Sequence, residues 1–526
     1  MTDKMERWIY AGLLVAVFLI LGLTFLLHPW RINTDNAMLL ELGNFLLEGR
    51  QPYVDYYETN PPLIHYLNII PAALARLTGM NLISMFLLLV IALTMWSALS
   101  IRHLLQRHLP QPDPLSVTLI PIALVLAGLY VNSINNHGQR EHLFVLLFMP
   151  YFVLRWLRWQ GLAENVWIGT AIGLGILAGI GACIKPHFLL AAALPELYWL
   201  VKHRRLNGLW QPEILSFGAT GLLYGIHFLL LPPESKAGFF DFIVPEMLKG
   251  YSAYGALPAR AFLKKPHLTR LAVLALPFIL LPIRRRQGVI WHLAQPMALF
   301  GLASFATFVY QAKAWNYQRV PFDMAVMMTA ALLIFTTRLS KPREIQPGYS
   351  ARRVQLGFVL VVVFTVLISM DNLSFYPLAG EDVTMQHIVT THTAENDAIL
   401  TIDTNMAPSF PILMQHNRRS IGSFPQDFPL AIGMRGLTET AFYDPAIELP
   451  ATIQFYLAIV QDDVETYEPD VIIIRQGHCP FCPPGFDIVR FLEARGFVEK
   501  VIEPDYRRVE DLPYDEFAVW LREPAQ

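Results

Sequence analysis

Residues 61–77, PPLIHYLNIIPAALARL, decide how the rest of the chain is threaded. The run is apolar enough to cross a bilayer, yet it carries His65, Asn68, Pro71 and Arg76, which suit a helix lying in the membrane interface. Its neighbours settle the choice by parity. A spanning helix needs roughly 20 apolar residues, and eleven other runs qualify: 8–28, 80–100, 114–131, 142–157, 166–184, 187–201, 213–232, 271–283, 293–311, 320–337 and 354–370. The short ones borrow flanking residues, with Arg and Lys reaching to the interface. If 61–77 lies flat, loops 1–7, 101–113, 155–165, 202–212, 284–292 and 338–353 share one side and hold 17 Lys/Arg in 67 residues. The opposite loops (29–79, 132–141, 185–186, 233–270 and 312–319) are much sparser. If it spans, the basic segment Arg102–Arg107 falls outside. Cationic loops stay inside. The expectation is therefore an α-helical polytopic membrane protein of about eleven spans, with the N-terminus inside, 61–77 as a juxtamembrane helix and the tail outside.

Composition agrees. The 526 residues are 54% hydrophobic and 16% charged, with mean hydropathy +0.40; a soluble chain carries about a quarter charged residues. The net charge of −2 and the lack of a basic tract give no sign of a nucleic-acid partner. The first run follows Lys4 and Arg7 and ends in His28-Pro29-Trp30-Arg31, without a small-residue cleavage site, so it reads as a retained span. Solvated Lys and Arg on the inner loops need no explanation beyond topology.

The tail, 371–526, has another texture. AILTID (398–403) and DVIIIRQG (470–477) are short β runs, DIVRFLEARGF (487–497) has helical spacing, and EFAVWLRE (516–523) looks like a closing strand. A small α/β domain follows, behind a membrane domain of 1–370 whose first outer loop is 29–79. Cys183 sits in an apolar run as a small core residue. Cys479 and Cys482 form Cys-Pro-Phe-Cys, open to a disulfide on the outer side, a redox pair, or half of a metal site that lacks its second half.

Polar residues at span ends are costly unless they line a cavity or meet a partner. In the first outer loop Asp35 opens an amphipathic helix, and Asp55 and Glu58 precede Pro61-Pro62. The plainer reading makes Asp35 or Asn36 an N-cap. The second outer loop ends in Arg140, Glu141 and His142, where the plainer reading is an Arg140–Glu141 ion pair. Lys185 stands between two outer span ends, against the charge bias, which favours anion binding over decoration. The segment QAKAWNYQRVPF (311–322) places Lys313, Trp315, Asn316, Tyr317 and Arg319 together; the aromatic pair suits an interface and the cations suit a phosphate. Carboxylates suit a base acting on a hydroxyl acceptor.

Asp35-Asn36, the helix after it, Gly49, the acidic stretch and then Glu58-Thr59-Asn60-Pro61-Pro62-Leu63 resemble the GT-C glycosyltransferases. The likeness is greatest to the branch of protein O-mannosyltransferases and the lipid A aminoarabinose transferase. Those proteins also place a Lys before Gly or Pro after a Gly-rich span, which Lys185-Pro186 matches after GLGILAGIGACI. The likeness extends over residues 1–200, and over the later spans by architecture. It departs where Asn36 replaces a second acid and Asn60 replaces a Lys. The GQREH and KAWNYQRVP segments are similar to those of cell-envelope sugar transferases, including ones that handle pentofuranoses.

The resemblance implies an inverting transfer from a polyprenyl-phosphate-linked sugar donor to a glycan, lipid or protein acceptor, at the outer face of a bacterial inner membrane. It makes Asp35 the catalytic base, with Asp55 as competitor. Lys185, with Arg140, Arg319 and Lys313, would bind the donor phosphate. Glu58, Glu141, His142, Trp315, Asn316 and Tyr317 would contact acceptor or substrate. No cofactor is implied with certainty; a divalent metal on Glu58 stays open. Three other readings compete. A lipid-linked glycan transporter calls for mid-span charges and inverted repeats. A polysaccharide polymerase or ligase calls for a cationic outer loop, for which 233–270 offers Lys236, Lys249, Arg260, Lys264 and Lys265. A scaffold would tolerate loss of Asp35 and Lys185.

Overall fold

The computed structural model describes residues 32–110, 136–283, 292–336, 381–512 and 515–524, with isolated positions at 12, 15, 19, 117, 120, 121, 124 and 125. The expected spans at 8–28, 114–131 and 354–370 lie outside these residues, isolated positions aside. The chain divides into two compact units. One is Met1–Arg31, Phe86–Leu229 and Leu257–Phe375; the other is Ile32–Met85, Leu230–Ala256 and Tyr376–Gln526.

The first unit is helical. Most of Leu82–His108 belongs to it, with Arg140–Trp159, Ile168–Cys183, Phe188–His203, Pro212–Leu230, Lys265–Ile283, Ala294–Tyr310 and Val320–Thr336. Each falls on one of the expected spans. Among the described residues, two helices, Leu82–His108 and Pro212–Leu230, are long and apolar enough to cross a membrane. The second turns its apolar side chains outward, with Leu222 and Leu223 each 66% exposed. Such a surface is costly in water and costs nothing against hydrocarbon.

Small residues bring these helices together. A side chain on Gly175 would strike Glu213 and Ser216, and one on Gly179 would strike Thr220. The Gly-rich helix therefore packs on Pro212–Leu230 through a glycine stripe, as membrane helices do when backbones approach closely. At one end, Arg155 is fully buried rather than solvated as its loop position suggests. Its Nε and Nη1 reach Glu196 Oε1 at 2.6 Å and Glu213 Oε1 at 2.8 Å, and Trp159 Nε1–H donates to Glu196 Oε2 at 3.1 Å. Helix packing encloses the guanidinium, and only paired carboxylates make that tolerable. Cys183 is half-buried, less enclosed than its apolar run implies.

The second unit joins the first outer loop to the tail. Helix Thr34–Leu47 is capped by Asn33, whose side chain accepts the Asp35 N–H at 2.9 Å. The 61–77 run forms helix Leu63–Thr78, stopped by Gly79 at φ 70°. Gly43 lets the two helices touch, because a Cβ there would overlap the Asn68 carbonyl. The tail forms a five-stranded sheet of β1 (Ala398–Ile402), β2 (Arg419–Ser420), β3 (Val471–Arg475), β4 (Tyr506–Arg508) and β5 (Phe517–Arg522), in the order β2-β1-β3-β5-β4. β1 runs parallel to β2 and β3, whereas β5 is antiparallel to β3 and β4, with Ile473 opposite Val519. All five β3 residues are buried, as expected of a strand covered on both faces. Met385, Ile388, Ile399, Leu413, Val471 and Val519 form part of the core on one face. Helix Ile488–Ala494 confirms the helical spacing, and a disulfide joins Cys479 to Cys482.

Candidate active site

Chemistry-bearing side chains occur in both units. In the second unit Asp35 sits in the first turn of Thr34–Leu47 and is half-buried. The cap is Asn33, so Asp35 does not serve as the N-cap. Its carboxylate lies at the helix end that favours negative charge. Residues 50–60 then form a tight, irregular turn. The Tyr53 N–H donates to the Tyr56 carbonyl at 2.7 Å, and Asp55 Oδ2 accepts the Gln51 N–H at 2.6 Å. Tyr53 adopts φ 64°, which a bulky residue rarely does.

Glu58 is buried and its oxygens are heavily engaged. Oε1 accepts from Thr59 Oγ1 at 3.1 Å and Asn60 Nδ2 at 2.6 Å; Oε2 accepts the Asn60 N–H at 2.7 Å and faces His65 Nε2 at 3.1 Å. Tyr56 lies 3.3 Å from the other ring nitrogen of His65. A carboxylate offers about four lone-pair positions, so Glu58 would have to exchange one of these bonds to meet a metal or an acceptor. Among the described residues no group of three or more His, Cys, Asp or Glu side chains is placed to hold a metal. Asn60 thus caps the acid with two bonds of its own. A further acid on the first helix, Glu41, is buried; burial pushes its carboxyl up to about 7, against the Asn44 bond.

In the first unit the N-terminus of Arg140–Trp159 brings three charges to one aromatic ring. Lys185 Nζ is 2.6 Å from Glu141 Oε1. It also lies 5.3 Å from the Tyr317 ring centre, and the Arg140 guanidinium lies 5.9 Å from the same centre. Glu141 thus has a partner in Lys185, which its sequence neighbours do not suggest. The Gly138 N–H donates to His142 Nδ1 at 3.1 Å, and the His142 ring lies 4.8 Å from that of His137. Arg140, Glu141, His142 and Lys185 are all buried. Lys185 and Arg140 thus share one aromatic ring, and paired cations of this kind suit an anion such as phosphate.

The 311–319 segment contributes unevenly. Tyr317 belongs to the cluster, and Trp315 lies 5.8 Å from it, ring to ring. Asn316 opens the short helical turn Asn316–Arg319. Lys313 is buried between Ala312 and Ala314, both at φ 57°. Left-handed backbone at two alanines is strained and tends to persist where a side chain must be held in place. Arg319 is drawn to Asp323 Oδ2 at 3.0 Å, while Arg270 Nε takes Asp323 Oδ1 at 3.0 Å. Neither Arg270 nor Asp323 stood out in the sequence, because each looks like an isolated charge in an apolar helix. Periodicity could have flagged Asp323, which lies one turn after Arg319.

No protein-family profile matches the chain, and no curated protein sequence matches it. Solved structures do. The structure is similar to that of ArnT from Cupriavidus metallidurans bound to undecaprenyl phosphate, with a TM-score of 0.53 and 12% identity, over 99% of this chain and 98% of that one. It also matches the archaeal oligosaccharyltransferase AglB from Archaeoglobus fulgidus, in complex with an inhibitory peptide and a dolichol-phosphate, with a TM-score of 0.47 and 11% identity over 90% of this chain and 70% of that one. The arabinofuranosyltransferase AftD from Mycobacteria matches at 0.45 and 13% identity, over 99% of this chain and 40% of that one.

Proposed function

We propose, from a chain that shares the fold of ArnT over nearly its whole length, that this protein is an inverting glycosyltransferase. It moves a sugar from a polyprenyl-phosphate-linked donor to a hydroxyl acceptor at the outer face of a bacterial inner membrane. The buried Lys185–Glu141–Arg140 group around Tyr317 is the observation that carries this reading. Lys185 exchanges Glu141 for a donor phosphate oxygen, and Arg140 supplies a second cation; charge-assisted bonds to phosphate are the strong kind. Lys313 and Arg319 are the further cations of that side, and Arg319 must share itself with Asp323.

Asp35 takes the proton of the acceptor hydroxyl. The acceptor oxygen attacks the anomeric carbon, the bond from that carbon to the phosphate oxygen breaks, and polyprenyl phosphate departs with the electron pair. The configuration inverts because attack is in line. Asp55 is the competing base, and Glu58, His142, Trp315, Asn316 and Tyr317 are the candidate contacts to acceptor and sugar. The disulfide Cys479–Cys482 suits a tail in an oxidising compartment.

The test is transfer by purified protein from polyprenyl-phosphate-linked sugars extracted from host membranes. Asp35→Asn should lower turnover by at least a hundredfold, the usual scale of a lost general base, while the protein stays folded and inserted. Near-native activity in that variant rejects Asp35 as the base. Comparing envelope glycans and glycoproteins by mass spectrometry, with and without the gene, identifies the missing sugar and its acceptor.

A further inference from the structure

The acid-bearing turn of the first outer loop is held by the tail. Residues 50–60 form neither helix nor strand apart from one isolated Pro52–Tyr56 bridge. An irregular segment keeps a single conformation only if outside bonds offset its entropy. Those bonds come from residues 421–424. Arg50 Nη1 donates to the Ile421 carbonyl at 2.9 Å, and the Tyr57 N–H donates to the Ser423 carbonyl at 2.7 Å. Ser423 Oγ lies 3.0 Å from the Asp55 carbonyl, and Tyr57 stacks on Phe424 with ring centres 5.0 Å apart. Arg50 adds a bond from Nη2 to the Asp55 carbonyl at 2.6 Å while its guanidinium lies over Phe45 at 3.9 Å.

Residues 421–424 are themselves irregular and need a fixed point. Helix Ala451–Tyr467 provides it. Asp463, 1% exposed, accepts the Ser423 N–H at 2.8 Å and lies 2.5 Å from Ser423 Oγ. A buried carboxyl that meets both the N–H and the hydroxyl oxygen of Ser423 leaves Ser423 few alternative positions. The chain of contacts runs from the helix through Asp463 and Ser423 to the main-chain carbonyl of Asp55, three residues before Glu58. Ser423 is 368 residues from Asp55 in sequence, so no local preference produces the contact.

We propose that Ser423 and Asp463, together with Arg50, are positioning residues: the tail domain uses them to fix the turn that carries Asp55 and Glu58. This gives the tail a working part in the acceptor-side chemistry, and that part rests on the transferase reading above. The anchoring itself does not.

Hydrogen–deuterium exchange on the full chain in detergent micelles tests the anchoring without any activity. Ser423→Ala removes one hydroxyl and leaves no appreciable void. One lost hydrogen bond of the usual net strength corresponds to about fivefold faster exchange, expected in peptides covering 51–60. Peptides covering β1 and β3 should exchange at the native rate, and Ser423→Thr, which keeps a hydroxyl, should restore protection. Unchanged exchange in 51–60, or equal acceleration throughout the sheet, overturns the proposal. In the transfer assay with membrane-extracted lipid-linked sugars, Ser423→Ala should lower kcat per folded molecule, counted by size exclusion, leave KM for the lipid unchanged, and be rescued by Ser423→Thr; a purely structural defect would lower the folded fraction and leave kcat per folded molecule native, which rejects the positioning role. If exchange behaves as expected while the native protein transfers no sugar, the anchoring stands and the transferase reading falls.

Discussion

Asp463→Asn should make the second unit markedly more stable at alkaline pH. The native carboxyl is almost wholly buried, and burial pushes it from 3.8 up to about 7, although the Ser423 bonds and Arg50 pull it down. The groups that face it are Ser423, Arg50, Asp462, Tyr467 and Tyr57, with Asp427 and Tyr456 on the far side. The sign follows from proton counting. The folded value lies above the unfolded one, so between about pH 4 and 7 the folded state holds a proton that the unfolded chain has released. Stability from this group is therefore complete below about pH 4, falls as pH rises, and is lost above about pH 7. Three units at about 1.4 kcal/mol each give a ceiling of about 4 kcal/mol. Asparagine keeps an acceptor for the Ser423 N–H and offers an N–H to Ser423 Oγ, like the protonated acid, without the charge. Thermal midpoints in detergent at pH 5, 6, 7 and 8 measure the effect. At about 2–4 °C per kcal/mol for a unit of this size, the variant should lead by up to about 8–16 °C at pH 8, and the lead should shrink steadily toward pH 5. Glu41 titrates alike in both proteins and cancels. Parallel curves, or a variant less stable at pH 8, would refute the proton count.

Three further outcomes are expected. Glu213→Gln leaves Arg155 partly unpaired in a closed interior and should cost about 3–5 kcal/mol, read as a large drop in the thermal midpoint; an unchanged midpoint would mean the ion network is wet. Lys185→Ala should weaken binding of undecaprenyl phosphate by about 10- to 100-fold, the range of a lost charge-assisted bond, measured by native mass spectrometry, whereas Glu141→Gln, which removes the competing carboxylate, should tighten it. Gly43→Leu should separate helices Thr34–Leu47 and Leu63–Thr78, because its side chain would strike Asn68, and expose the second unit to protease; native-like resistance to proteolysis would refute the close contact.

Much of the local architecture was legible. The β runs at 398–403, 470–477 and 516–523 become β1, β3 and β5 because alternating or continuous branched apolar residues suit a covered strand. The described apolar blocks between 80 and 336, 114–131 aside, become helices, since their lengths and 3.6-residue spacing allow little else. In the site, Arg140, Glu141, Lys185 and Tyr317 were all picked out by a shared anomaly, polar groups at the ends of apolar runs, and they come together.

Partner choice was not legible. Nothing next to Glu141 in sequence pointed to Lys185, which arrives from another helix end at 2.6 Å. Arg155 read as a solvated loop cation, and only the closure of three helices around it makes it a buried one. Arg50, Ser423 and Asp463 carry no motif at all. The sequence by itself determined which of the described segments are helix or strand, because those preferences are summed over neighbouring residues. The tertiary structure alone decided which charge meets which, and which backbone carbonyl a distant serine reaches, because such bonds depend on packing between segments from 41 to 368 residues apart.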